Sequence, residues 1–304
     1  MQKIIKILFF LLFVTASVKA QQDAMYSQYV FNMMAINPAY TGNRNVVSTT
    51  GHFRSQWSGL EGAPKTGMLT VQAPISRERI GLGVQLFSDK LGVTTTNGFT
   101  ASAAYHIALE DDAKLSFGLQ GNAWMYRSDL ASSSLENQGY DPAFSQNLRK
   151  TLLNLGTGVF YHTDKFYAGI SVQDMLANRL NDDSELSATQ VPHFFATTGY
   201  VFPLDDSFKL KPSILVKATK GAPLEADINA TLWIKDFISV GALYRTNADV
   251  SGMLGVQVSP EFFLGYSYDY STTALRAFNS GSHEIVLRYE FRLDRLSILS
   301  PRFF

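Results

Sequence analysis

Five histidines are the first place to look for chemistry in this chain, because imidazole is the most versatile base and metal ligand among the side chains. They do not assemble a site in sequence. His52, His193 and His283 lie in three separate segments, with no H-x-x-x-H spacing that would set two imidazoles on one ion. His106 and His162 each follow a tyrosine at the end of a strand-like segment beside a short polar turn, and read as interfacial decoration. A serine nucleophile needs a base and an orienting group within reach, and no motif supplies the three. The run Asn181-Asp182-Asp183-Ser184-Glu185 offers carboxylates to calcium but lacks EF-hand spacing, so it reads as a solvated loop. Gly81-Leu82-Gly83 lacks the strand-to-helix setting of a phosphate loop and reads as small residues facing an interior. No catalytic residue, no cofactor and no metal site is expected, and the chain is expected not to be an enzyme.

The remaining chemistry is charge held at regular spacing. From Leu224 to Lys235, apolar Leu224, Ala226, Ile228, Ala230, Leu232 and Ile234 alternate with Glu225, Asp227, Asn229, Thr231 and Lys235. Side chains of a strand point alternately to its two faces, so one face suits lipid and the other suits water. The same alternation sets Ile80, Leu82, Val84 and Leu86 against Gly81, Gly83 and Gln85. It also sets Ile285, Leu287, Tyr289 and Phe291 against Glu284, Arg288 and Glu290. With Lys209, Lys211 and Lys217, these inward charges either line an aqueous pore or pair across strands to fill a closed interior.

Fourteen such segments position them: Asn45–Trp57, Thr66–Ile75, Arg79–Phe87, Thr94–Ala108, Lys114–Tyr126, Thr151–His162, Lys165–Val172, Pro192–Phe202, Ser207–Lys217, Leu224–Lys235, Phe237–Arg245, Val250–Val258, Phe262–Tyr270 and Ser282–Phe291. Each is near the roughly nine to eleven tilted residues that cross a hydrocarbon layer. Connections alternate between tight polar turns, such as Thr163-Asp164 and Lys235-Asp236, and long loops, such as Arg127 to Lys150 and Gln173 to Val191. Ser88 to Val93 and Thr246 to Asp249 are intermediate. The expected fold class is all-β, a transmembrane antiparallel β-barrel of about 14 strands. It must close, because lipid offers no hydrogen bonds to the rims of an open sheet. Tyr105, Tyr161, Phe166, Tyr167, Tyr200, Phe202, Phe208, Phe237, Phe262, Phe263 and Tyr289 gather near the short turns, where an interfacial girdle belongs.

Composition agrees with this reading. Charged residues make up 17% of the 304, below the roughly 25% of soluble domains. A formal net charge of zero leaves no basic footprint for phosphates, so nucleic acid is not an expected partner. There is no cysteine, hence no disulfide and no thiolate metal site. Lys3 and Lys6, the apolar run Ile7 to Val14 and Val18-Lys19-Ala20 form a signal peptide at 1–20. Its removal takes Lys3, Lys6 and Lys19 from the 26 basic residues, leaving 23 against 26 acidic ones. The expected organisation is then 21–44, an N-terminal periplasmic or plug-like segment; 45–292, the barrel; and 293–304, a C-terminal periplasmic tail. Met25, Tyr29, Val30, Phe31, Met33 and Met34 are too apolar for a free tail, so 21–44 must lie against something. An even strand count places both termini on the short-turn side, the periplasm of an outer membrane.

Two terminal motifs go further. Gln22-Asp23-Ala24-Met25-Tyr26-Ser27-Gln28-Tyr29-Val30-Phe31-Asn32 with Ile36-Asn37-Pro38-Ala39-Tyr40-Thr41-Gly42 resembles the opening of the PorP/SprF family of Bacteroidetes outer-membrane proteins. Tyr266-Ser267-Tyr268-Asp269-Tyr270-Ser271 with Gly281-Ser282-His283-Glu284-Ile285 and Leu287-Arg288-Tyr289-Glu290-Phe291 is similar to that family's last hairpin. Arg54-Ser55-Gln56-Trp57-Ser58-Gly59 and Gly62-Ala63-Pro64 are similar to its first. The resemblance implies a role in type IX secretion and gliding motility. Its partners would be secretion-machinery proteins of the outer membrane and periplasm, a secreted surface protein and the lipid bilayer. It points to Tyr26, Gln28, Tyr29, Asn32, Asn37, Pro38, Tyr40, Trp57, Tyr268, Asp269 and Tyr270 as partner-binding residues. The readings it must compete with are a passive or lipid-substrate channel and a barrel-embedded hydrolase.

Overall fold

The computed structural model describes residues 27–44, 46–75, 79–110, 112–130, 147–180 and 189–291. The expected signal peptide, Tyr26, the acidic run at 181–185 and the tail at 293–304 lie outside them. The described strands are β1 Val47–Ser55, β2 Lys65–Ile75, β3 Ile80–Leu91, β4 Thr94–Ala108, β5 Lys114–Ser128, β6 Leu148–His162, β7 Phe166–Gln173, β8 His193–Tyr200, β9 Phe202–Pro203, β10 Phe208–Thr219, β11 Glu225–Ile234, β12 Ile238–Arg245, β13 Asp249–Gln257, β14 Phe262–Ser271 and β15 Ser282–Phe291. Each pairs antiparallel with its neighbour, and β1 pairs with β15 from Val47↔Phe291 to Ser55↔His283, which closes the ring. β9 continues β8 at unchanged register along β10. The break falls where Pro212 comes opposite, because proline has no N–H to give the ladder. The wall is therefore a closed 14-strand antiparallel barrel.

The alternation read from sequence sorts the two faces. Ile228, Leu82, Leu86, Leu254 and Leu287 are exposed on the outside, while Asp227, Asn229, Thr231, Glu284 and Arg288 are buried inside. β3 runs on to Leu91 and meets β4 at Thr94, so the connection read as Ser88 to Val93 narrows to Gly92-Val93. Two members of the expected aromatic girdle face the other way: Tyr167 and Phe263 are fully buried in the interior. They occupy inward positions of β7 and β14, so strand parity overrides their place near the turns. His106 and His162 are corrected for the same reason, since both are buried inward rather than set at the interface.

The packed core is inside out relative to a soluble sandwich. Its apolar side chains come from residues 27–44, which fold as three single 3₁₀ turns within the barrel, and from the wall residues they touch. One cluster joins Met33, Met34, Ala39 and Tyr40 to Phe160, Tyr167 and Val201. Another joins Tyr29, Val30 and Ile36 to Leu215, Leu243 and Met253, with Phe31 and Phe195 against it.

Candidate functional site

The segment 27–44 is built by short-range rules and then fixed by the wall. Asn37 caps the turn Pro38–Tyr40: its Oδ1 accepts the Ala39 N–H at 2.9 Å, and Pro38 sits where a helix start needs no donor. The same carboxamide donates through Nδ2 to the carbonyls of Val159 at 3.0 Å and Ile170 at 3.2 Å. Ser171 Oγ donates to the Ile36 carbonyl at 2.7 Å, and Gln173 Nε2 to the carbonyls of Ala35 and Ile36. Asn32 Nδ2 donates to Thr70 Oγ1 at 2.9 Å, and the Gly42 N–H to Gln72 Oε1 at 2.8 Å. His106 Nε2 lies 3.0 Å from the Thr41 carbonyl, an acceptor only, so Nε2 carries the proton and Nδ1 accepts from Ser116 Oγ at 2.7 Å. Asn43 Oδ1 lies 2.7 Å from His162 Nε2. Burial raises the Tyr40 phenol above its usual range, against the opposing pull of Arg44.

Glycines let the backbones approach. A Cβ at Gly81 would strike the Thr41 carbonyl, one at Gly118 the Ala39 amide, and one at Gly83 the Met34 thioether. The pair Gly81 and Gly83 therefore faces the interior, where the segment covers it.

The interior charges pair rather than line open water. At one end of the barrel, Arg54 meets Asp269 and, at 3.0 Å, Glu284. The same carboxylates hold the start of the segment: Ser27 donates from N to Glu284 Oε2 at 3.0 Å and from Oγ to Asp269 at 2.8 Å. The Gln28 N–H reaches Glu284 Oε1 at 2.8 Å. A second cluster sets Arg245 bidentate on Asp227 at 2.9 Å, with Glu225 and Asp249 nearby. At the opposite end Arg44 pairs with Glu290, which also faces Arg288 at 3.4 Å.

Trp57, Tyr268 and Tyr270 occupy a different place, the rim where the long loops begin. The Trp57 N–H donates to Ser282 Oγ at 3.1 Å, and Tyr268 Oη to the Ser280 carbonyl at 3.0 Å. Ser58 and the Ser280-Gly281 stretch exchange backbone bonds of 2.7 and 2.8 Å, stitching the first hairpin loop to the last. Arg276 stacks over Tyr270 at 4.8 Å. On this side the loop after β7 is anchored by Asp174, which accepts from Trp124 Nε1 at 3.0 Å, and by Asn178, which donates to the Leu153 carbonyl at 2.9 Å.

The candidate residues thus fall into two groups. Gln28, Tyr29, Asn32, Asn37, Pro38 and Tyr40 are buried against the wall, and Trp57, Tyr268 and Tyr270 are on the rim. Asp269 joins them, since it faces inward between two rim tyrosines and holds Ser27. Sequence reasoning did not single out Ser27, Arg44, Arg54 or the glycines as partners of one another. The available signal was glycine at alternate inward positions, as at Gly81 and Gly83 or Gly156 and Gly158, which marks another backbone close by. Among the described residues no group of histidine and carboxylate side chains is placed to hold a metal.

A family model described as type IX secretion system membrane protein PorP/SprF matches residues 18–289. No curated protein matches the chain. Among solved structures, the CymD monoaromatic hydrocarbon channel superposes with a TM-score of 0.50 at 12% identity, over 86% of this chain and 93% of that one. The outer membrane protein Omp33 of Acinetobacter baumannii gives 0.49 at 9% identity, over 83% and 100%. A FadL homologue of Pseudomonas aeruginosa gives 0.47 at 13%, over 87% and 94%. At such identities the likeness concerns the barrel fold alone.

Proposed function

We infer the function from the premise that the chain belongs to the PorP/SprF family of type IX secretion system membrane proteins. It is a non-enzymatic outer-membrane barrel that helps secrete or anchor particular surface proteins, its long loops facing the outside and making the contact. The observation that carries this reading is the filled interior. Residues 27–44 are hydrogen-bonded to wall strands on every side, and the inward charges beside them are paired. A wall so occupied works as a scaffold for its loops rather than as a conduit. Leu60, Met175, Leu176, Leu275 and Phe278 are exposed in or beside those loops and supply apolar surface for a protein partner.

Two measurements test this. Affinity purification from native membranes should recover a component of the secretion machinery together with one surface protein. Reconstituted vesicles should resist swelling in sugar solution. Free sugar entry with neither protein recovered would overturn the reading in favour of a channel.

A further inference from the structure

The segment 27–44 enters the interior at one end of the barrel and leaves it at the other. Its last residue, Arg44, pairs with Glu290 at the short-turn end of β15, and β1 starts three residues later at Val47. Its first residue, Ser27, is held by Glu284, Asp269 and Arg54, all within the last three residues of their strands at the long-loop end. Glu284 and Glu290 share one strand and one face, and their six-residue separation is about 20 Å along it. The segment is therefore one further crossing of the membrane layer, made through the interior instead of the wall.

That crossing changes the topology. Fourteen wall strands alone return both ends of the chain to the short-turn side, whereas the added passage reverses the first end. We propose that the chain ahead of Ser27 is delivered through the barrel to the long-loop face, where it joins the docking surface for the secreted partner. Asp269 makes the connection, because it holds Ser27 while its neighbours Tyr268 and Tyr270 sit on the rim. Return to the other side is opposed by length and by space. Processing after Ala20 leaves six residues ahead of Ser27, a reach of at most about 20 Å, which only matches the distance back to Glu290. The path back is also taken up by the segment itself.

This inference rests on the reading that the long loops face outward, and the test separates the two. The chain has no cysteine, so single substitutions report one position each. Ala24→Cys probes the proposal, exposed Lys220→Cys the long-loop side, and exposed Asp206→Cys the short-turn side. Cells are treated with a membrane-impermeant maleimide before and after permeabilisation. The expected result is full labelling of Ala24→Cys and Lys220→Cys on intact cells, with no gain on permeabilisation, and labelling of Asp206→Cys only afterwards. Ala24→Cys behaving like Asp206→Cys, with Lys220→Cys still labelled on intact cells, overturns the proposal alone. Lys220→Cys labelled only after permeabilisation overturns the orientation and the proposal together. A protease site inserted between Gln22 and Asp23 gives a second readout: cleavage by external protease supports the proposal, and resistance until permeabilisation overturns it.

Discussion

The Asn37 carboxamide occupies the space in which Gly158 would carry a side chain, and from there it reaches carbonyls of two adjacent strands, Val159 on β6 and Ile170 on β7. One residue thus ends a turn, fixes the segment and depends on a missing Cβ across the interface. Gly158→Val should displace the Pro38 turn while leaving the wall intact, since valine suits a strand. The variant is expected to keep its heat-modifiable barrel band and to gain single-channel conductance. A silent bilayer with the folded band retained would show that the segment does not depend on this contact.

Asn37→Ala removes the acceptor of the Ala39 N–H and the donor to both wall carbonyls. Buried groups left unpaired cost about 1–3 kcal/mol each, so several kcal/mol of local stability should be lost. Proteolysis of residues 27–44 in detergent, timed against the intact wall, measures it.

Arg54 neutralises two buried carboxylates, Asp269 and Glu284. Arg54→Met leaves both uncompensated and should cost about 3–5 kcal/mol. Adding Asp269→Asn and Glu284→Gln should restore most of that loss, because the charge and not the shape is at fault. The urea midpoint of refolded protein in vesicles reads both steps.

Ile228 faces outward near the middle of β11. Ile228→Arg should destabilise the barrel by about 2–4 kcal/mol in bilayers, the cost of a cation on the lipid face at mid-depth. The penalty should shrink in detergent micelles, where water reaches the wall. An equal loss in both media would place Ile228 away from lipid.

The turn between β11 and β12 holds Lys235 and Asp236 at φ of 52° and 54°. Asparagine tolerates this left-handed region better than lysine. Lys235→Asn should therefore raise stability, by up to about 1 kcal/mol, while keeping the Lys209–Asp236 pair at 2.8 Å. A higher urea midpoint is the expected result.

The wall was readable because membrane strands obey a period of two, and Leu224 to Lys235 declared both faces at once. Strand ends were legible to within a few residues, β3 being the main exception, because a two-residue Gly92-Val93 turn leaves no polar run to mark it. Tyr167, Phe263, His106 and His162 were misread where place along the strand was weighed above parity. The contents of the interior were harder to read. Whether Glu284 lines water or binds a backbone depends on Ser27, 257 residues away, and no local pattern carries that information. The apolar run from Tyr29 to Met34 showed only that a cover was required.

Since β1 and β15 form the seam, the first and last parts of the barrel to be synthesised must find each other before the ring is complete. Residues 27–44 contact both of these strands and many between them, so they must already be inside when the seam zips. A chain whose decisive contacts are so distant in sequence folds slowly. During that interval its unpaired edges and its apolar leading stretch stand open together, the period in which a periplasmic escort is needed most.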